Sequence, residues 1–296
     1  MLARWRLMNR SLRTDLDGFS APSATDEYLY YQTLVGIWPE NPPDDPEREK
    51  LRERLEAFML KAVREAKVHT SWINPDSHYE EALRRFVSES LRSELFLKDV
   101  NQSIPRVARV GLLVGLSQAV LKVASPGVPD YYQGTELWDF SLVDPDNRRP
   151  VDYELRKAFI KKSSTPEDLL KNLSSGEAKL HIIRKGLALR RKMPEVFSQP
   201  SYTPLLADDG KEENVCAFAL RKGNQVVIAV APRLFAGLLG DAHAPVGEEV
   251  WGDSRLVLPE GAFENVLTGE KHSGGSVRVA DLLSTFPVAL LATMGR

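Results

Sequence analysis

The sequence predicts an α+β chain in which a helix-rich region is followed by an antiparallel β-sandwich. Three observations carry this expectation. Apolar residues recur at helical spacing through residues 1–125, Pro126 and Pro129 interrupt that pattern, and short β-rich runs separated by turn residues follow Pro200. A length of 296 residues exceeds an ordinary single domain, so about two domains are expected.

Taken in order, Asp45-Pro46-Glu47 offers an N-cap, a proline in the first turn and an acid near the positive end of the helix dipole. Leu51, Leu55, Phe58, Met59, Ala62, Val63 and Ala66 then form one apolar face. Ser77-x-x-Glu80 has the form of a capping box, with Tyr79, Leu83, Phe86, Val87 and Leu91 on the inner face of the helix it opens. A third helix over residues 104–123 is apolar nearly all round, which predicts enclosure on most sides. Residues 126–134 read as a short extended segment ending in a loop, and residues 139–153 as a polar loop. Helix resumes over 177–192 and stops before Pro194. Strands are expected at 215–220 and 225–230, joined through Arg221-Lys222-Gly223-Asn224, and at 254–258, 263–267, 277–279 and 288–291.

Composition narrows the function classes. Hydrophobic content of 43% and charged content of 27% are those of a globular protein. A net charge of −2 supplies no field for nucleic acid or an anionic membrane, so neither is an expected partner. The single cysteine, Cys216, permits no intrachain disulfide and sits in an apolar run that predicts a buried structural thiol. The basic start lacks the apolar run of a signal peptide. Residues 107–124, interrupted by Arg109, Gln118 and Lys122, read as too short and too polar to span a bilayer. A cytoplasmic location is the expectation.

The densest polar cluster lies between Asp130 and Arg149 and combines acids, amides and arginines with Tyr131, Tyr132 and Trp138. Sugars are bound by such groups, the polar ones meeting paired hydroxyls and the aromatic ones facing C–H groups. An equally direct reading is a loop whose Asp–Arg pairs hold it in shape. Arg13-Thr14-Asp15 imitates the Arg-x-Asp of α-amylase-type barrels, but it lacks a preceding apolar strand and reads as a polar surface turn. His69 and His78 have no third ligand at metal spacing. Arg190-Arg191-Lys192 falls in a last helical turn, where cations complement the dipole. No Gly-rich phosphate loop, zinc signature or nucleophile elbow is present, and no cofactor or metal is expected.

Several longer motifs carry a resemblance. The run Asp26-Glu27-Tyr28-Leu29-Tyr30-Tyr31-Gln32 through Gly36-Ile37-Trp38-Pro39 resembles a segment of the malto-oligosyltrehalose synthases, members of the α-amylase clan. So does Lys61-Ala62-x-Arg64-Glu65-Ala66-Lys67-x-His69-Thr70-Ser71-Trp72, with Pro75 and Tyr79-Glu80 after it. Residues 126–136, Pro-Gly-Val-Pro-Asp-Tyr-Tyr-Gln-Gly-Thr-Glu, look like the eighth barrel strand of the clan and its loop. Residues 142–153, Leu189-Arg190-Arg191, Pro232-Arg233-Leu234-Phe235 and Trp251-Gly252-Asp253 are similar to later parts of the same family.

The resemblance covers almost the whole chain. It implies a helical insertion region over 1–125, the closing strand and helix of a (β/α)₈ barrel with an intervening loop over 126–195, and a C-terminal antiparallel β domain over 196–296. It also implies a retaining reaction, in which one carboxylate attacks the sugar and a second serves as acid and then base. The glucose released from a maltodextrin's reducing end then attacks the intermediate, replacing an α-1,4 linkage by an α,α-1,1 linkage. Barrel loops at the carboxyl ends of strands form such sites. Tyr132, Gln133, Gly134, Glu136, Asp144, Asp146, Asn147, Arg148 and Arg149 are therefore the candidates for supporting the reducing-end sugar, none of them catalytic.

The family's nucleophile, acid/base and His-Asp carboxylate all lie upstream of the segment matching Tyr28, and no histidine here precedes an aspartate. The isolated chain is accordingly expected to be inactive, as a truncated product, one half of a split enzyme or a segment of a longer one. Its expected partners are a maltodextrin and either a separate catalytic half or a second copy. Two roles outside catalysis follow: a maltodextrin-binding module, or a structural half that completes another chain.

Overall fold

The computed structural model describes residues 1–294. The chain divides into two units, Met1–Arg109 with Phe140–Pro150, and Val110–Asp139 with Val151–Arg296.

In the first unit, α1 (Leu2–Met8) leads to a hairpin of β1 (Thr14–Leu16) and β2 (Phe19–Ala21). Helices α2 (Ala24–Ile37), α3 (Asp45–Ala66), α4 (Ser77–Ser90) and α5 (Glu94–Ser103) follow, and α6 (Pro105–Ala124) begins here. Their shared core is aromatic: Trp5, Tyr30, Tyr31, Tyr79, Phe86 and Phe96 are buried with Leu34, Leu55 and Met59. Edge-on contacts order it, with Trp5 and Phe96 centroids 5.4 Å apart and Tyr30 and Phe86 5.8 Å apart. Buried phenols keep partners, Tyr30 at Ser90 (2.7 Å) and Tyr31 at Glu27 (3.0 Å). Glu27, fully buried, is paired with Arg13 and with Arg6 at 3.4 Å. The Arg-x-Asp imitation is thus the start of a surface hairpin, turned at Asp17-Gly18 with both φ angles positive.

Both expected N-caps shift by one residue. Asp44, not Asp45, caps α3 and forms the capping box with Glu47. Asp76, not Ser77, caps α4, because Glu80 turns to Arg64 and Thr70 instead of closing a box on Ser77.

The second unit takes α6 from Val110 onward, then α7 (Tyr153–Lys161), α8 (Pro166–Lys171), α9 (Glu177–Lys192) and α10 (Pro194–Ser198). After them come β3 (Ser201–Leu205), β4 (Val215–Lys222), β5 (Gln225–Pro232), the short helices α11 (Phe235–Leu238) and α12 (Gly247–Trp251), β6 (Arg255–Asn265), β7 (Lys271–Arg278), α13 (Val279–Leu282) and β8 (Ala289–Thr293).

These strands make one open antiparallel sheet, in the order β3-β4-β5-β8-β6-β7, where two facing sheets were expected. The reason is curvature. The strand expected at 254–258 continues past a register irregularity between Leu258 and Ala262 into the one expected at 263–267, giving the single long β6. The sheet curls far enough for Ala207, beyond β3, to bridge Leu256 of β6.

Side-chain alternation then assigns two apolar faces. Phe218, Leu220, Val227, Ala229, Leu290 and Ala292 join α6, α9 and α10. Ala217, Ala219, Ile228, Val230 and Leu291 pack instead against Trp251, Leu256, Phe263 and Leu282. Because both faces are covered, β4, β5 and β8 read as continuous apolar runs. Cys216 is free and half-buried on β4, more open than expected.

Two further expectations change. Residues 126–132 pair with no strand among the described residues. Pro126 and Pro129 lack amide donors, and Arg190 instead gathers the carbonyls of Val123 (2.9 Å), Ser125 (3.0 Å) and Gly127. Helix α6 is 20 residues long and apolar enough to cross a membrane by length and composition. In the second unit, however, Leu112, Leu113, Leu116, Val120 and Val123 of this helix are buried in the protein core.

Candidate functional site

The candidate residues fall into two groups, one in each unit. Asp144, Asp146, Asn147, Arg148 and Arg149 belong to the first unit, where residues 140–150 lie on the polar side of α3. Arg54 of α3 organises them. Its Nε lies 3.1 and 3.2 Å from the two Asp146 oxygens, and its Nη2 donates to Asp146 Oδ2 (3.0 Å) and to the Phe140 carbonyl (2.6 Å). The Leu142 amide adds a bond to Asp146 Oδ2 at 2.7 Å.

Burial by itself would raise the Asp146 carboxyl. The Arg54 fork, the Leu142 amide and the nearby Arg149 outweigh it and hold the group below the usual carboxylate range. Two turns along α3, Lys61 Nζ donates to the Asp144 carbonyl at 2.6 Å. Asp144 pairs with Arg148, while Arg149 reaches the Asp146 carbonyl (3.0 Å) and Ser141 Oγ (2.9 Å). Asn147 stands exposed in the 3₁₀ turn Asp146–Arg148. A shallow groove of about 260 Å³, lined by Phe58, Lys61, Val143 and Pro145 among others, lies beside this loop.

Tyr132, Gln133, Gly134 and Glu136 belong to the second unit. Gln133 and Gly134 both take left-handed backbone, φ 51° and 78°, and turn the chain sharply. A Cβ at Gly134 would strike the Arg156 guanidinium, so the glycine makes room for that side chain. Arg156 of α7 donates to the Gly134 carbonyl, to the Asp152 carbonyl (2.9 Å) and to Glu136 Oε2 (3.2 Å). Tyr132 is exposed, whereas Tyr131 lies under the Lys122 ammonium, 4.6 Å from its ring centre. Burial pushes the Tyr131 hydroxyl up to about 12, against the opposing influence of Arg190. Trp138 is fixed by a bond to the Leu173 carbonyl (2.7 Å) and by Lys179 above its ring. Burial depresses the Lys179 ammonium, with Asp139 opposing.

Each carboxylate among the candidates therefore faces a cation: Glu136 with Arg156, Asp144 with Arg148, Asp146 with Arg54. A general acid needs a carboxyl whose proton is held near working pH, and Asp146 is driven the other way. The geometry suits accepting and orienting hydroxyl groups. The sequence reading missed the organising cations Arg54, Lys61 and Arg156. Arg54 and Lys61 are seven apart on one face of α3, a spacing legible in the sequence, but a charged helix face gives no sign of what it meets. His69, weighed with His78 as a metal ligand, stacks on Tyr79 (4.6 Å between ring centres) and on Phe19 (5.5 Å) in a three-ring cluster.

No family model matches the chain. A protein of Mycobacterium tuberculosis (strain H37Rv) provisionally named maltooligosyl trehalose synthase is 33% identical over 271 residues, which is 92% of this chain and 32% of that protein. The solved maltooligosyltrehalose synthase of Arthrobacter ramosus is 34% identical, with a TM-score of 0.76 over 99% of this chain and 35% of its own. A hypothetical maltooligosyl trehalose synthase from Sulfolobus tokodaii is 26% identical, with a TM-score of 0.70 over 99% of this chain and 34% of its own. The chain spans about a third of the length of these relatives.

Proposed function

We propose, for a chain that belongs by sequence and fold to the malto-oligosyltrehalose synthase family, that it is the non-catalytic C-terminal part of such an enzyme. The reaction it serves is intramolecular transglycosylation at the reducing end of a maltodextrin, which exchanges an α-1,4 for an α,α-1,1 linkage. In this reading the nucleophile and acid/base come from elsewhere in the enzyme. Residues 126–132 supply the closing barrel strand when their sheet neighbours are present, residues 1–125 are a helical insertion, and 196–296 are the C-terminal β domain. The loops carrying Tyr132, Gln133, Gly134, Glu136 and Asp144–Arg149 help to hold the reducing-end glucose.

The observation that carries the proposal is the cation at every candidate carboxylate. These groups are built to stay put and accept hydrogen bonds, not to donate protons or attack carbon. A second reading, a purely structural half that binds no sugar, is favoured by the same pairs if their only task is to shape the loop. Calorimetry with maltopentaose separates the two. Saturable heat supports glucan binding, which is lowered by Glu136→Ala or Arg149→Ala at unchanged melting temperature. Absence of heat supports the structural half.

A further inference from the structure

Helix α3 ends at Lys67, whose left-handed backbone (φ 58°) sends the chain into the turn at residues 68–76. Here the usual partition of side chains is inverted. Val68, Trp72 and Ile73 are 75%, 57% and 95% exposed, whereas Thr70 is buried.

The turn is nevertheless held firmly. Thr70 Oγ1 donates to Glu80 Oε1 (2.8 Å) and accepts from the Asp76 amide (2.9 Å). Arg64 grips Glu80 with two N–H groups, at 2.7 and 2.5 Å. The Ser71 amide donates to the Asn74 carbonyl, and Ser71 Oγ accepts from the Asn74 amide, closing the tip at 3.1 and 2.9 Å. The Arg64 guanidinium also lies 4.8 Å from the centre of the Trp72 ring. That cation backs one indole face and leaves the ring set in a fixed orientation toward solvent.

We propose that Trp72 is a stacking platform for a glucose ring of an α-1,4-glucan, outside the loops already described. The inference rests on the glucan reading above. A pyranose presents a face of C–H groups that fits a flat π system, and its hydroxyls need polar groups around the ring's rim. The N–H groups of Arg64 that Glu80 does not use lie against the indole and meet that need. A ring already fixed in place loses little further freedom on binding, which is what a weakly held oligosaccharide requires.

The test titrates maltopentaose into the whole chain, reading calorimetry and tryptophan fluorescence together. Trp5, Trp38 and Trp251 are buried and Trp138 is half-buried, so Trp72 dominates any change at the surface. Trp72→Ala should weaken binding about tenfold and abolish the fluorescence change, with Trp72→Phe intermediate. Trp138→Phe should leave the change in place. Wild type that binds with Trp72→Ala unchanged overturns the platform and leaves the proposed function standing. Wild type that does not bind at all overturns both. Loss of self-association in Trp72→Ala with glucan binding intact assigns the face to a second copy and likewise overturns the platform.

Discussion

Removing Arg54 should release residues 140–150 from α3 while leaving the aromatic core of that unit folded. Four donor contacts are lost in Arg54→Ala, three of them to Asp146 and one to the Phe140 carbonyl. Breaking a fully buried ion pair costs about 3–5 kcal/mol. Here the two side chains keep 23% and 15% of their exposure, and Asp146 retains the Leu142 amide and Arg149. Water and those partners offset part of the loss, leaving about 2 kcal/mol.

The Leu142 amide reports it directly, since it donates to Asp146 Oδ2. Its hydrogen exchange should accelerate by about thirtyfold near neutral pH. The sign of the pH dependence follows from Asp146, whose folded carboxyl titrates below its ordinary value of 3.8. Its contribution is complete above that value and is lost as pH falls through the depressed folded one. The ratio of variant to wild-type exchange should therefore shrink toward one in acid. Equal exchange at neutral pH, or a ratio indifferent to acid, would refute the reasoning.

Gly186→Ala should destabilise the second unit by about 1–3 kcal/mol, because the new Cβ would lie 2.5 and 2.6 Å from the Val123 methyls. Adding Val123→Ala should recover part of that loss in urea unfolding, and simple additivity of the two would contradict the clash. Glu80→Gln removes the charge that Arg64 grips in a nearly buried site, so about 2 kcal/mol of stability should go, with faster proteolysis at residues 68–76. Arg148→Ala removes an exposed pair with Asp144 worth less than about 1 kcal/mol, so its melting temperature should stay close to wild type. A large fall would mean that Arg148 braces the loop.

Helices with one apolar face were legible in the sequence. The Leu51, Leu55, Met59, Val63 stripe of α3 and the 177–192 helix stand where spacing put them. Shorter helices were not. Residues 153–161 carry Leu155, Ala158 and Phe159 at helical spacing, but the pattern spans barely two turns and none of these side chains is fully buried, so the Asp152 cap is the clearer signal. Cap positions slipped by one because neighbouring Asp44 and Asp45, or Asp76 and Ser77, can each cap; the Glu47 box selects Asp44, and the tertiary partners of Glu80 leave α4 to Asp76. The curled sheet was hidden because strand runs carry no record of partners. A bulge at 258–262 looks like a turn between two strands. Residues 133–149 were recognisable as a polar, aromatic-bearing loop. Its clasp by Arg54, Lys61 and Arg156 depends on contacts 20 to 92 positions apart, beyond the reach of any local pattern.

The proposed function requires that this chain alone carry out no glucan chemistry. Incubating the purified chain with maltopentaose and separating the products by chromatography tests this most directly. Maltopentaose should remain unchanged, with neither shorter maltodextrins nor a trehalose-ended product above the buffer control. Trehalose-ended product formed at a steady rate proportional to the amount of chain, across independent preparations, would contradict it.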